Sequence, residues 1–320
     1  MKEQMTIVDD FAKDTLAGLA SFPKSLSSKY FYNDIGSRIF QDIMQMPEYY
    51  LTDCELEVFT SQHNEILSAF KADNKAFELI ELGAGDGLKT KVLLSSLVNQ
   101  KIDFKYIPID ISKQAVADLV QDLKNQIPDL PVEGIVGDYF KLIKKLNGQY
   151  RKIILFFGSN IGNFEWNESI RFLQHLRSVI NIDDMVFIGF DLKKDPELIL
   201  NAYNDPSGHT AAFNLNLLKR INDELGGHFD LLDFVHQEVY DEQTGTAKSY
   251  LMSRKKQSVS IEKLGKAFEF EAGEKMLMEM SQKYDLELID ELAEKSGFQI
   301  VRNFMDSRQY FMNSLWKLKS

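Results

Sequence analysis

Glycines and an acid at strand ends carry the first chemical reading of this 320-residue chain. Glu78-Leu79-Ile80-Glu81-Leu82-Gly83-Ala84-Gly85-Asp86-Gly87 is an apolar run entering a glycine-rich turn, and Tyr106-Ile107-Pro108-Ile109-Asp110 is a second run ending in an acid. Glycines let the backbone approach a ligand closely, and an acid at the tip of the next strand accepts hydrogen bonds from ribose hydroxyls. The pair reads as a nucleoside site. Gly83, Gly85 and Gly87 give G-x-G-x-G, which departs from the dinucleotide fingerprint, and there is no Walker lysine-serine pair. By itself the turn does not name the ligand.

Further polar residues stand at the ends of later apolar runs. Lys89 opens the helix after the turn and can reach a carboxylate. Gly137-Asp138-Tyr139 ends a third run, where the acid can accept from an adenine amino group and the ring can stack on its face. Asp138 reads equally as a helix cap. Phe156-Phe157 leads into Gly158-Ser159-Asn160-Ile161-Gly162-Asn163, and there Asn163 either binds a polar group or caps a helix starting near Asn167. In Met278-Glu279-Met280-Ser281, an extended backbone puts Glu279 and Ser281 on one face. An acid and a hydroxyl on one apolar wall can read both nitrogens of a heteroaromatic ring. Periodicity alone favours an exposed Glu279 on an amphipathic helix. His209 and His228 lack partners at metal-ligand spacing, and the lone Cys54 excludes an intrachain disulfide and a cysteine-built zinc site. Cys54 is expected to be a half-buried thiol rather than a nucleophile.

These residues need an α/β scaffold. Strands are predicted over Phe77–Leu82, Phe104–Ile109, Val132–Gly137, Lys152–Phe157 and Met185–Phe190, several of them near-continuous apolar runs suited to parallel strands buried on both faces. Helices are predicted over Ser112–Gln126, Asn167–Ile180 and Glu287–Lys295, followed by strands Phe298–Phe304 and Tyr310–Leu318. The fold class is a doubly wound α/β sheet. Residues 1–60 and 196–285 fall outside this pattern. They are expected to form a second lobe over the carboxyl ends of the strands, with 61–195 and 286–320 forming the sheet domain. The net charge of −11 argues against nucleic acid as partner, and the short basic run Ser253-Arg254-Lys255-Lys256 reads as a solvated turn. No run reaches the roughly 18 apolar residues that span a bilayer, and the first residues have no apolar signal core, so a cytoplasmic protein without membrane partners is expected. A monomer is expected because no coiled-coil heptad or long exposed strand stands out.

The turn Glu81-Leu82-Gly83-Ala84-Gly85 resembles the first motif of S-adenosylmethionine-dependent methyltransferases, and the terminal helix and hairpin resemble the ending of class I members, whose last strand inserts antiparallel. From about Pro23 to the C-terminus the chain closely resembles the histidine-specific methyltransferases that make hercynine, the trimethyl betaine of histidine, on the route to ergothioneine. Pro23-Lys24-Ser25-Leu26, Phe31-Tyr32-Asn33-Asp34, Gly36-Ser37, Met46-Pro47-Glu48-Tyr49-Tyr50-Leu51-Thr52, the Gly158-to-Asn163 loop, Ala202-Tyr203, Thr210 to Asn214, and Gly273-Glu274 leading to Glu279-Met280-Ser281-Gln282-Lys283 carry this resemblance. It implies that Gly83, Lys89, Asp110, Asp138 and Tyr139 bind S-adenosylmethionine. It implies that Tyr49, Asn163 and Tyr203 hold the α-amino and α-carboxylate groups of the amino acid, that Tyr32 stands near the amine, and that Glu279 and Ser281 hydrogen-bond the imidazole. Two alternatives stay open: the same chemistry on a tryptophan-like or modified amino acid, and a non-catalytic nucleoside-binding protein.

Overall fold

The computed structural model describes residues 2–71, 75–143 and 150–319. In chain order its helices are α1 (Lys2–Ala20), α2 (Asp34–Met44), α3 (Tyr50–Phe70), α4 (Thr90–Asn99), α5 (Lys113–Gln126), α6 (Tyr139–Leu142), α7 (Trp166–Arg177), α8 (Pro196–Tyr203), α9 (His209–Leu225) and α10 (Leu286–Ser296). Its strands are β1 (Phe77–Leu82), β2 (Phe104–Asp110), β3 (Ile135–Val136), β4 (Arg151–Phe156), β5 (Met185–Asp191), β6 (Phe234–Asp241), β7 (Thr246–Ser253), β8 (Gln257–Ile261), β9 (Lys266–Phe270), β10 (Lys275–Gln282), β11 (Phe298–Met305) and β12 (Phe311–Leu318). The chain divides into two compact units, Met1–Tyr49 with Asp195–Ser281, and Tyr50–Lys194 with Gln282–Ser320.

The second of these units is built on a sheet whose described strands run β11-β12-β5-β4-β1-β2-β3. β1, β2, β4 and β5 pair in parallel, and β12 lies antiparallel to both β5 and β11. Alternate residues point to opposite faces of a strand. Leu79, Ile153, Leu155 and Phe187 accordingly enter a core with Phe59, Leu67 and Leu94 of α3 and α4, while Ile80, Ile154, Phe156 and Ile188 enter another with Leu173, Leu176 and Leu292 of α7 and α10. This two-sided burial is why the strands read as continuous apolar runs. α3 belongs here, so the division falls at Tyr49/Tyr50 rather than near residue 60. β3 is shorter than Val132–Gly137: only Ile135 and Val136 continue the ladder, and Val132 makes an isolated bridge to Tyr106. Gly134 interrupts the run, and a Cβ there would meet Val116 Cγ1 at 2.5 Å, so close packing of α5 bends the edge away from regular pairing.

The other unit holds α1, α2, α8 and α9 with a three-stranded sheet in the order β10-β7-β6 and the β8–β9 hairpin. Its core joins Phe11, Phe31, Phe213, Leu217, Leu251, Met276 and Met278. The segment carrying Glu279 is strand β10, and the amphipathic-helix reading of it does not hold. Met276 and Met278 fill the core while Leu277, Glu279 and Ser281 share the opposite strand face.

Candidate active site

In the sheet unit the predicted nucleoside residues gather at the carboxyl ends of β1 to β4. The Gly83 and Ala84 N–H groups donate to the Ile109 carbonyl at 2.8 and 3.1 Å, and the Gly85 N–H donates to Asp110 Oδ2 at 3.0 Å. The turn is thus tied to the tip of β2. Gly83 and Gly85 have φ of +72° and +55°, a region that favours glycine. A Cβ added at Gly85 meets nothing within 4 Å, and one at Gly83 meets only Asn160 Nδ2 at 3.3 Å, so the turn leaves an open cradle. Asp110 Oδ1 accepts from the Ser112 N–H at 2.9 Å. The backbone donors do not use all the lone pairs of the carboxylate, which can still accept from a ligand hydroxyl. Burial raises the Asp110 pKa against the pull of those N–H groups.

Asp138 is the N-cap of α6, with Oδ1 accepting from the Phe140 N–H at 2.9 Å. The capping role thus uses one of its oxygens. Tyr139 beside it is half-buried, stacked on Phe140 at 4.7 Å and edge-on to Phe156 at 5.8 Å. Lys89 donates to Glu55 Oε2 at 2.5 Å. An ammonium has three donors, so this ion pair aims Lys89 without exhausting it. Asn163 ends a short 3-10 helix, Asn160–Asn163, directly after β4. It does not cap α7: Glu165 is the N-cap there, and its N–H donates to Glu168 Oε2 at 3.1 Å.

In the other unit the remaining predicted residues form one aromatic chain. Tyr32 meets Phe40 edge-on at 5.5 Å, Phe40 meets Tyr49 at 6.1 Å, and Tyr49 meets Tyr203 at 6.3 Å. The Tyr203 hydroxyl is 3.0 Å from Ser281 Oγ, and both residues are buried. The structure thus brings together Tyr32, Tyr49, Tyr203 and Ser281, with Glu279 two residues along the same strand face. α8 delivers Tyr203 from its last turn, and its carbonyl lies 3.0 Å from His236 Nε2 on β6.

Three of the buried acids, Glu55, Glu81 and Asp191, had no site role of their own assigned from the sequence. Glu55, fully buried on α3, accepts from Lys89, from the Gly158 N–H at 3.0 Å and from Asn313 Nδ2 at 2.7 Å. Its signal was an acid on the apolar stripe of Leu51, Cys54, Val58 and Phe59. Glu81 accepts from Thr90 Oγ1 at 2.8 Å and Tyr106 Oη at 2.5 Å, and burial pushes it up to about 7. Asp191 ends β5 and pairs with Lys194 and Lys283. Cys54 is fully rather than half buried, and burial pushes its thiol up to about 12, which suits a packing group and not a nucleophile. Among the described residues no group of three His, Cys, Asp or Glu is placed to hold a metal, and no helix is long and apolar enough to cross a membrane.

A parallel sheet with an antiparallel strand inserted at β12, a glycine turn after β1 and an acid at the tip of β2 define a class I S-adenosylmethionine-dependent methyltransferase. The open cradle at Gly85 and the acceptor carboxylate of Asp110 fit that nucleoside. The family model of histidine-specific, S-adenosylmethionine-dependent methyltransferases matches residues 11–318, and the chain belongs to that family. It is 34% identical over 283 residues to a histidine N-alpha-methyltransferase of Mycolicibacterium smegmatis, covering 88% of this chain and 87% of that one. A histidine N-alpha-methyltransferase of Mycobacterium tuberculosis is 31% identical over 303 residues, covering 95% and 93%. Ergothioneine biosynthesis protein 1 of Schizosaccharomyces pombe is 30% identical, matching 87% of this chain but 37% of its own length.

Proposed function

We propose that this enzyme transfers three methyl groups in turn to the α-amine of L-histidine, giving hercynine for ergothioneine synthesis, as a cytoplasmic monomer. The observation that carries the acceptor is the wall of β10 and α8. There Ser281 Oγ and the Tyr203 hydroxyl are in hydrogen-bond reach, with Glu279 on the same strand face. An imidazole has two ring nitrogens, and a hydroxyl and a carboxylate can pair with both. An indole has one N–H and would leave a polar group of this wall unpaired, which is costly in a buried site.

S-adenosylmethionine supplies a sulfonium methyl that is electrophilic as it stands. The chain's own residues then have three tasks. Gly83, Lys89, Asp110, Asp138 and Tyr139 hold the nucleoside and its amino-acid tail. Tyr49, Asn163 and Tyr203 hold the α-amino and α-carboxylate groups, fixing the amine for in-line attack, a proximity effect. The amine must be neutral when it attacks, and desolvation in the site disfavours the charged ammonium and lowers its pKa, exposing the lone pair. Tyr32, near the amine, passes the released proton outward, directly or through water. The aromatic faces of Tyr32, Tyr49 and Tyr203 tolerate the fixed positive charge of the product through cation–π attraction.

The test is mass spectrometry of purified protein with S-adenosylmethionine and an equimolar mixture of free amino acids. Histidine should gain three methyl groups. Methylation of another amino acid would overturn the reading of Glu279 and Ser281, and cofactor binding without any methylation would move the assignment to a modified acceptor or a binding role.

A further inference from the structure

The chain passes between its two units three times, at Tyr49/Tyr50, Lys194/Asp195 and Ser281/Gln282. On the sheet side all three passages are tied to one carboxylate. Asp191, fully buried at the end of β5, accepts from the Tyr50 hydroxyl at 2.9 Å, from Lys194 Nζ, and from Lys283 Nζ at 2.7 Å. Tyr50 and Lys194 are the residues at their passages, and Lys283 is the second after its own. The ties also join one another. Lys194 Nζ donates to the Tyr50 hydroxyl at 2.9 Å and lies over its ring at 4.2 Å. The backbone adds to this: the Tyr284 N–H donates to the Asp191 carbonyl at 2.9 Å, the Lys193 N–H donates to the Tyr284 carbonyl at 2.7 Å, and the Asp191 N–H donates to Ser159 Oγ at 3.0 Å.

Each passage leads to a residue assigned above to the acceptor. Tyr49 precedes Tyr50 directly, Ser281 is the last residue before Gln282, and α8, which begins at Pro196, ends in Tyr203. Neighbouring Cα atoms are about 3.8 Å apart, so fixing one residue closely limits where the next can stand. Apolar residues of similar shape would suit a buried site at least as well for stability, so two ammonium groups on one carboxylate call for another explanation. We propose that Asp191 is a positioning centre: by holding Tyr50, Lys194 and Lys283 together it fixes the backbone from which Tyr49, α8 and Ser281 continue, and so sets acceptor affinity. This rests on the acceptor roles proposed above.

Tyr50→Phe keeps the ring and removes the hydroxyl, and Lys194→Met leaves a neutral Asp191–Lys283 pair, so both are compatible with folding. Backbone amide exchange followed by mass spectrometry reads the centre without activity. Tyr50→Phe should accelerate exchange at all three passages together, including those distant in sequence. In both variants the KM for histidine should rise about tenfold, the size of one charge-assisted hydrogen bond, with a smaller change in kcat and unchanged affinity for S-adenosylhomocysteine. Lys194→Arg should restore most of the KM. Faster exchange confined to the start of α3, or an unchanged KM in both variants, would overturn the proposal. A wild-type enzyme that leaves histidine unmodified would instead overturn the acceptor assignment, while the exchange result would still judge the centre.

Discussion

Asp110→Asn isolates what the acid at the tip of β2 does. In the wild type its two oxygens each accept one backbone N–H, from Ser112 at 2.9 Å and Gly85 at 3.0 Å. An amide keeps one acceptor oxygen and turns an NH2 group towards the other donor. Gly85 is exposed and Ser112 is buried, so the oxygen will stay with Ser112 and the NH2 will face Gly85, whose N–H can turn to water. The stability loss then sits at the low end for an unpaired donor, about 1 kcal/mol. Binding suffers more, because the charge behind the ribose hydrogen bonds is gone and one acceptor has become a donor. Charge-assisted hydrogen bonds are worth about 1.5–3 kcal/mol each, so a loss of about 2.7 kcal/mol, or about a hundredfold in affinity, is expected. Calorimetric titration with S-adenosylhomocysteine, alongside thermal unfolding, measures both quantities. The wild-type acid also has a raised pKa, caused by burial. Its accepting form is lost as pH falls through that pKa, so wild-type affinity should weaken in acid while the variant's low affinity stays flat. A folded Asp110→Asn protein binding within about threefold of wild type would refute this role for the carboxylate.

Glu81 should give the fold a pH signature. It would titrate near 4.5 in the unfolded chain and at about 7 when folded, burial being the cause. Between those values the folded state holds a proton that the unfolded state has lost, so this residue's contribution to stability falls as pH rises through that window. Glu81→Gln should therefore gain up to about 3 kcal/mol on wild type between about pH 5 and pH 8 in urea unfolding, and an equal pH slope in the two proteins would show that Glu81 is ionised throughout. Ser281→Ala removes the partner of the Tyr203 hydroxyl and should raise the KM for histidine about tenfold at constant S-adenosylhomocysteine affinity, as steady-state kinetics would show. Glu279→Leu should weaken histidine and narrow its advantage over other amino acids in a competition assay; unchanged histidine kinetics would remove Glu279 from the site. Cys54 should resist iodoacetamide in the folded protein and react once urea exposes it, because the thiol is buried and held near 12.

Much of the sheet unit was legible because parallel strands covered on both faces must be apolar at nearly every position. β1, β4 and β5 carry that signature, and a strand end followed by glycine or an acid marks where a ligand lies. Less was legible where partners come from afar. α3 precedes β1 and looks like part of the leading segment, yet Val58, Phe59, Leu67 and Phe70 pack in the core beside β1 and β4. Periodicity favours an amphipathic helix around Glu279; pairing within the β10-β7-β6 sheet, which comes from strands distant in sequence, overrides it. The tyrosines were named through resemblance, not periodicity. What unites them, the edge-to-face run from Tyr32 to Tyr203, joins α2 and α8 across more than a hundred residues of sequence and leaves no local trace.

The buried charges tell most about what the fold was selected to do. Glu55, Glu81 and Asp191 are buried acids in a unit that could fill the same volume with leucine and methionine. Such replacements are often neutral or stabilising, so packing alone does not account for these three. Their partners do. Glu55 holds Lys89 and the Gly158 N–H, Glu81 holds Thr90 of the helix that follows the glycine turn, and Asp191 holds the chain passages that lead to the tyrosines and Ser281. Glu55 sits directly behind Lys89, proposed to hold the cofactor, whereas Glu81 anchors the helix after the glycine turn and Asp191 stands at the passages that lead to the acceptor residues. Methyl transfer without a covalent intermediate leaves an enzyme little to do except place two reactants accurately, and placement is what buried, fully bonded carboxylates supply. In this chain, electrostatics is spent on holding the machinery still.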